Sequence, residues 1–291
     1  MSNESTSTTL SGLFTAIQQA SMFEAQERAI VRPLIREYNL TNQPGKTAQV
    51  PIYPRLTTGA LTTGEGQDAS NTAISTTTKS ITTDEIAVMT TLTDTARDSA
   101  VEDVASSIGR IFGETLAKKV DEDLVSLFAG ASQKVGDFST ELTPDLILQA
   151  VAKLRSNNVY GPYHCVVSPN AAFNLKKVLT NAGYSNSGGQ ALSDIGNEAL
   201  RSGFIGQVYG VNIFESAIVG SDNVGDSSST STAAVFTPEA LGLALKKDIT
   251  IETQRNASVR GEEVVASMTF GVLELKDEEI IRVECDANAA N

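Results

Sequence analysis

The sequence predicts an α+β protein, and three observations carry that reading. A threonine-rich stretch over residues 48–93 reads as extended, with Gly59, Gly64 and Gly66 marking where it can reverse. It runs into a single amphipathic helix of about eight turns. The last third alternates strand candidates (AAVF, LGLAL, ITIETQ, VVASMTFGVLEL, EEIIRVEC) without the strand–helix rhythm of a parallel sheet.

Taken in order, residues 1–10 are polar, low in complexity and expected to form a mobile arm. Leu13, Phe14, Ile17, Phe23 and Ile30 lie loosely at helical spacing before Pro33 limits the helix. An arm lying across a neighbour and an ordinary first helix both fit. In the extended stretch Val50 and Ile52 alternate with polar residues, as do Ile86, Val88, Thr90 and Leu92 on the return. Ile81 breaks that phase, which predicts a bulge, a twist or a change of partner. The tip, Thr57–Ser70, contains little that could pack. So long a hairpin has too little apolar surface to fold back on its own domain, and another copy of the chain is the simplest cover.

Ser99 and Glu102 form a capping box for the long helix. Val101, Val104, Ala105, Ile108, Ile111, Phe112, Leu116, Val120, Leu124, Leu127 and Phe128 then recur at steps of three and four, and Gly130 is placed as the C-terminal cap. About thirty residues give a rod of roughly 45 Å. Its polar face carries Lys118, Lys119, Asp121, Glu122 and Asp123 and is expected to be solvated. Thr143-Pro144 starts a second helix with the stripe Ile147, Leu148, Val151 and Leu154, ended by Asn157-Asn158. A buried strand at 164–168, a Ser-Pro helix start and a helix to Leu179 follow. Residues 181–203 read as loop, QVYGVNIFES as strand, and 220–232 as a surface excursion. The helix-rich middle and strand-rich end predict two subdomains that share the chain non-contiguously.

Composition narrows the function classes. The 291 residues, 41% hydrophobic and 20% charged, suffice for a full core without staples. The net charge is −13, and basic residues come as isolated pairs, Lys118-Lys119, Lys176-Lys177 and Lys246-Lys247, so tight nucleic-acid binding is not expected. Cys165 and Cys285 belong to no paired motif and read as buried thiols. No signal peptide or membrane span is legible, so the chain is expected to stay in the cytoplasm. His164 beside Cys165 makes no zinc site, because adjacent strand residues point to opposite faces. Asp222–Asp226 is too short for a calcium loop, and Asp277-Glu278-Glu279 reads as exposed charge. Asn256-Ala257-Ser258 is a sequon without a secretory context. No nucleotide, phosphate, zinc-protease or serine-hydrolase motif occurs. No catalytic, cofactor-binding or metal-ligating residue is predicted.

The order of parts resembles the major capsid protein of tailed bacteriophages, the Hong Kong-97-like fold. The resemblance leans on GFIGQVYGVNIFES, with its G-x-x-x-G-V-x-I at Gly206–Ile213, on GPYHCVVSPNAAFNLKKVL, and on the closing FGVLEL of Phe270–Leu275. It implies an N-arm at 1–47, an E-loop at 48–93 and a peripheral domain at 94–160 with its spine helix at 99–130. An axial domain at 161–245 and a return to peripheral strands at 246–291 complete the implied map. It further implies self-assembly into pentamers and hexamers of an icosahedral shell around double-stranded DNA, with no enzyme activity, cofactor or membrane. The implied partners are other copies, a portal, a decoration protein and a scaffolding protein; no long charged helix precedes the N-arm, so the resemblance implies either a separate scaffolding protein or a start that is already the mature one. Some family members weld neighbours by an isopeptide bond from an E-loop lysine. Here no lysine lies between Lys46 and Lys79, and Lys79 is expected on a solvated sheet face. Two rival readings stay open: an encapsulin-type nanocompartment and a soluble α+β enzyme or binding protein.

Overall fold

A computed structural model describes residues 21, 29–41, 43–53, 74–95, 104–180, 206–219 and 230–286. In chain order the strands are β1 (Arg36–Asn39), β2 (Thr47–Ile52), β3 (Thr77–Thr82), β4 (Asp84–Thr93), β5 (Lys134–Glu141) and β6 (Tyr163–Val167). They continue as β7 (Gln207–Val208), β8 (Val211–Glu215), β9 (Thr230–Phe236), β10 (Leu241–Asn256), β11 (Gly261–Glu274) and β12 (Ile280–Asp286). The helices are α1 (Val104–Ser126), α2 (Pro144–Ser156) and α3 (Pro169–Thr180). One sheet runs β1-β10-β11-β4, a second runs β5-β12-β9-β6-β8-β7, and β2 with β3 forms a two-stranded ribbon.

Helix α1 lays Phe112, Leu116, Val120, Leu124 and Val125 against Val264, Ala266, Met268 and Phe270 of β11 and Leu241, Leu243 and Leu245 of β10. A large side chain buried this way is worth roughly 1.5–3 kcal/mol. The helix passes into a 3₁₀ turn at Leu127–Gly130, which carries Phe128 to within 5.6 Å of Phe236, ring centre to ring centre. Gly130 is not a left-handed cap as the sequence predicts: among the described residues the left-handed glycines are Gly45, Gly136, Gly161 and Gly210. Ile111 also departs from expectation, being 59% exposed. The apolar stripe is narrower than its spacing implies. The predicted capping box, Ser99 with Glu102, lies outside the described residues, as do Leu13, Phe14, Ile17 and Phe23 of the first segment.

Helices α2 and α3 pack a second core against the six-stranded sheet, where Ile147, Leu154 and Leu175 meet Val167, Val235 and Val283. Pro144 occupies the first turn of α2, as predicted. Asn158, at φ 57°, closes the helix: its amide and that of Val159 bond back to the carbonyls of Arg155 and Leu154 at 2.9 and 3.0 Å. The segment read as one strand at 207–216 is a hairpin. Tyr209 (φ 52°) and Gly210 (φ 81°) are both left-handed, which is the two-residue turn that matches strand twist.

The extended stretch 48–93 divides at Thr83, the change of partner that Ile81 signals. Strand β3 pairs with β2, whereas β4 pairs with β11 over its whole length. Thr83 is fully buried, and both its amide (2.8 Å) and its hydroxyl (3.0 Å) donate to the Lys46 carbonyl. Gly271 makes the corner possible, since a Cβ there would lie 2.0 Å from the Thr82 carbonyl oxygen. The expected boundary between 245 and 246 falls inside β10, which runs unbroken from Leu241 to Asn256. Strands β5 and β12 join the six-stranded sheet, although the sequence reading assigns residues 134–141 and 280–286 to the other subdomain. Only three-dimensional pairing decides which sheet a strand enters.

Candidate assembly surfaces

The ribbon β2–β3 stands on the outer face of the four-stranded sheet. Its alternation puts Ala48, Val50 and Ile81 inward, onto Leu40, Ala244 and Leu275, while Thr47, Gln49 and Pro51 face solvent. At its far end Tyr53 and Ile74 are 69% and 64% exposed. Nothing among the described residues covers either side chain. The predicted tip, Thr57–Ser70, lies outside the described residues. Lys79 does not project freely into solvent as predicted. Its ammonium donates to the Glu274 carbonyl at 2.8 Å and pins the ribbon to the end of β11.

Strand β4 forms one margin of the four-stranded sheet, and no described strand pairs with its outer edge. Ile86 and Val88 turn inward toward α1, while Met89 is 62% exposed. Between this edge and α1 runs a groove of about 420 Å³, lined by Ile86, Val88, Thr115, Leu116, Lys119 and Glu122 among others. A ten-residue edge with neither proline nor lysine is open to pairing with another chain.

The segment entering β1 is strapped to the long helix. Asp121 is fully buried and accepts three consecutive amides, those of Ile30 (2.7 Å), Val31 (3.2 Å) and Arg32 (3.2 Å). Burial raises its carboxyl above the usual range, while those amides and the Arg32 charge pull the other way. Further along the helix, Ser21 donates from its hydroxyl to the Gly109 carbonyl at 2.8 Å. Asp121 is thus not on the solvated face where the sequence predicts it. Its position, four residues after Ala117 and three before Leu124, sits within the apolar stripe and was the available signal.

The residues weighed for chemistry do not converge. His164 points toward Phe214 and Phe236, at 5.9 and 6.3 Å between ring centres, and burial lowers its pKa. Cys165 points to the opposite face, and burial pushes both cysteine thiols up to about 12. Asp277, Glu278 and Glu279 form a 3₁₀ turn rather than plain exposed charge. Asp277 accepts from the Ser132 amide at 2.8 Å and from its hydroxyl, and Glu279 accepts from the Thr237 hydroxyl at 2.5 Å. Asn256 accepts from the Ser258 amide and hydroxyl at the β10–β11 turn, and Asp222–Asp226 lies outside the described residues. Among the described residues no cluster of three or more His, Cys, Asp or Glu could hold a metal, and no helix is long and apolar enough to cross a membrane.

The basic pairs are answered locally. Lys118 meets Glu122, Lys119 meets Asp123, Lys176 meets Glu215 and Lys177 meets Glu141. These exposed pairs add little stability, but each sets a carboxylate beside the ammonium that a phosphate backbone would need.

Comparison with known proteins places this arrangement. The family described as phage capsid protein matches residues 75–282. A solved structure from Mycobacterium phage Che8 is similar at TM-score 0.67 and 19% identity, over 88% of this chain and 90% of that one. The capsid of the cyanophage P-SCSP1u is similar at 0.66 and 20%, covering 88% of both chains. A virus-like particle from Pyrococcus furiosus is similar at 0.60 and 13%, over 93% and 98%. No curated protein matches the sequence.

Proposed function

This chain belongs to the phage capsid protein family, and we propose that it is the structural subunit of a closed icosahedral shell, assembled as pentamers and hexamers around double-stranded DNA. The α+β, Hong Kong-97-like fold and the capsid role come with the family. The observation that carries the finer reading is the ribbon, seated on the sheet at its base and bare at Tyr53 and Ile74. Such an element needs a second copy to cover it. The ribbon lies over a neighbour's sheet, the N-terminal segment clasps another, and the six-stranded domains meet around the capsomer axis. Each contact can be modest, since contacts summed over a closed shell hold by avidity. An acidic chain in which Lys118, Lys119, Lys176 and Lys177 pair with nearby carboxylates suits a wall that does not trap the genome. Assembly in the host cytoplasm with a separate scaffolding protein, portal and decoration protein belongs to the same proposal, as does the absence of an active site.

The test is deletion of Thr57–Ser70. The shortened chain should stay soluble and melt cooperatively like the full chain, yet form no closed particles by electron microscopy and elute near the subunit's size. Normal particles from the deletion would sink the role given to the ribbon. The contents of full-length particles separate the readings: double-stranded DNA supports a phage head, and protein cargo would point to a nanocompartment.

A second expectation concerns how the shell is locked. The 32 residues from Thr47 to Thr78 offer no amine, and Lys79 is tied to Glu274 within its own subunit. Particles boiled in detergent should therefore run as one band near 30.7 kDa. A ladder that survives reducing agent would show a covalent network, with Lys79 the first residue to replace.

A further inference from the structure

The long helix carries a row of small residues that ends on a buried acid. Gly109, Gly113, Ala117 and Asp121 recur at steps of four along one slanted face of α1, and all four are buried. The chain's own N-terminal segment meets this row at both ends. At one end Ser21, itself fully buried, donates from its hydroxyl to the Gly109 carbonyl at 2.8 Å. Its backbone comes so close that a Cβ on Gly113 would overlap the Ser21 carbonyl oxygen and lie 2.9 Å from the carbonyl carbon. At the other end Asp121 accepts the amides of Ile30, Val31 and Arg32.

The two contacts suit one another in order and in length. The lower residue numbers sit at Gly109 and Gly113 and the higher at Asp121, so the segment follows α1 in the same direction. From Gly109 to Asp121 the helix rises about 18 Å. The nine steps from Ser21 to Ile30 can span up to about 30 Å, so the helix of the same subunit lies within reach. The composition of the row has a matching reason. Glycine at 113 lets backbone approach backbone, and the carboxylate at 121 satisfies three amides that would otherwise be left unpaired.

We propose that this row is a track for the subunit's own N-terminal segment, clamped at Ser21 and again at Ile30–Arg32, so that only the 20 residues ahead of Ser21 can engage a second copy. What the arm does for a neighbour rests on the shell reading above, whereas where it is rooted does not. Fully extended, 20 residues reach about 65–70 Å, against about 100 Å for a segment released as far as Ile30. The track thus sets both the origin and the length of the clasp.

The full chain carrying Ser21→Cys with Gly109→Cys tests this, oxidised both as the free subunit and in particles, then run in detergent without reductant. The native thiols, Cys165 and Cys285, are buried and do not compete. A bond within one chain is expected, read as loss of both new thiols with the band still at the monomer position. Dimer bands would put the segment on a neighbour and overturn the track, as would thiols that stay free. Should the chain form no particles at all, the shell reading fails, while the bond in the free subunit still decides the track. Gly113→Ala is the second variant, for the case that the cysteine pair does not fold. Alanine ordinarily favours a helix over glycine, but here its Cβ must displace Ser21. Trypsin cleavage after Arg28, between the two clamps, should then accelerate about tenfold over the wild type. A cut that is unchanged or slower overturns the proposal.

Discussion

Replacing Phe112 by aspartate is expected to abolish folding of the subunit, not merely its assembly. Phe112 is 2% exposed and packs among Leu116, Val120 and the inward residues of β11. Removing a buried phenylalanine costs about 3–5 kcal/mol, and an unpaired carboxylate left in that site adds a further penalty of several kcal/mol. The sum falls within the roughly 5–15 kcal/mol that holds an ordinary domain together. The adjacent position is the control. Ile111 is 59% exposed, so Ile111→Asp should shift the melting free energy of the subunit by no more than about 0.5 kcal/mol. Circular dichroism melts of both variants decide the matter. A soluble, cooperatively melting Phe112→Asp subunit would mean that this face of α1 is not the packed one.

Asp121→Ala is expected to cost about 3 kcal/mol or more and to free the segment ahead of β1 from the helix. The substitution orphans three amides that converge on one fully buried carboxylate, and a hydrogen bond to a charged group is worth about 1.5–3 kcal/mol. Relief of the buried charge returns part of that loss, since burial already raises this carboxyl. Asp121→Asn should fall between, because an amide keeps one acceptor oxygen but turns donors toward the remaining N–H groups. Denaturant melts give the order wild type, Asn, Ala. Limited proteolysis near Ile30–Arg32 should accelerate in the same order. An alanine variant as stable and as resistant as the wild type would show that these amides find other partners.

The two cases mark how far the chain can be read without its fold. The α+β class, the long helix, the Thr143-Pro144 start and Asn157-Asn158 stop of α2, and the buried strand before the Ser-Pro helix were legible because each rests on local rules. Helical spacing, capping chemistry and the missing amide of proline act within a few residues. The family resemblance followed from the order of those parts, as did the opposite facing of His164 and Cys165, which strand geometry alone requires.

Pairing across the chain was not legible. Strand β4 reads as the return arm of the ribbon, yet ten consecutive register pairs place it on β11. Strands β5 and β12 lie beside each other although about 140 residues separate them. Acidic residues usually face water, and only the three amides arriving from residues 30–32 make the burial of Asp121 tolerable. Lys79 likewise found a carbonyl 195 residues away. Sequence by itself determined the elements and their order, since backbone sterics and hydrophobic spacing are short-ranged. Tertiary structure alone decided which edges pair, which charges are buried and what holds the ribbon, because a hydrogen-bond partner is chosen by distance in space.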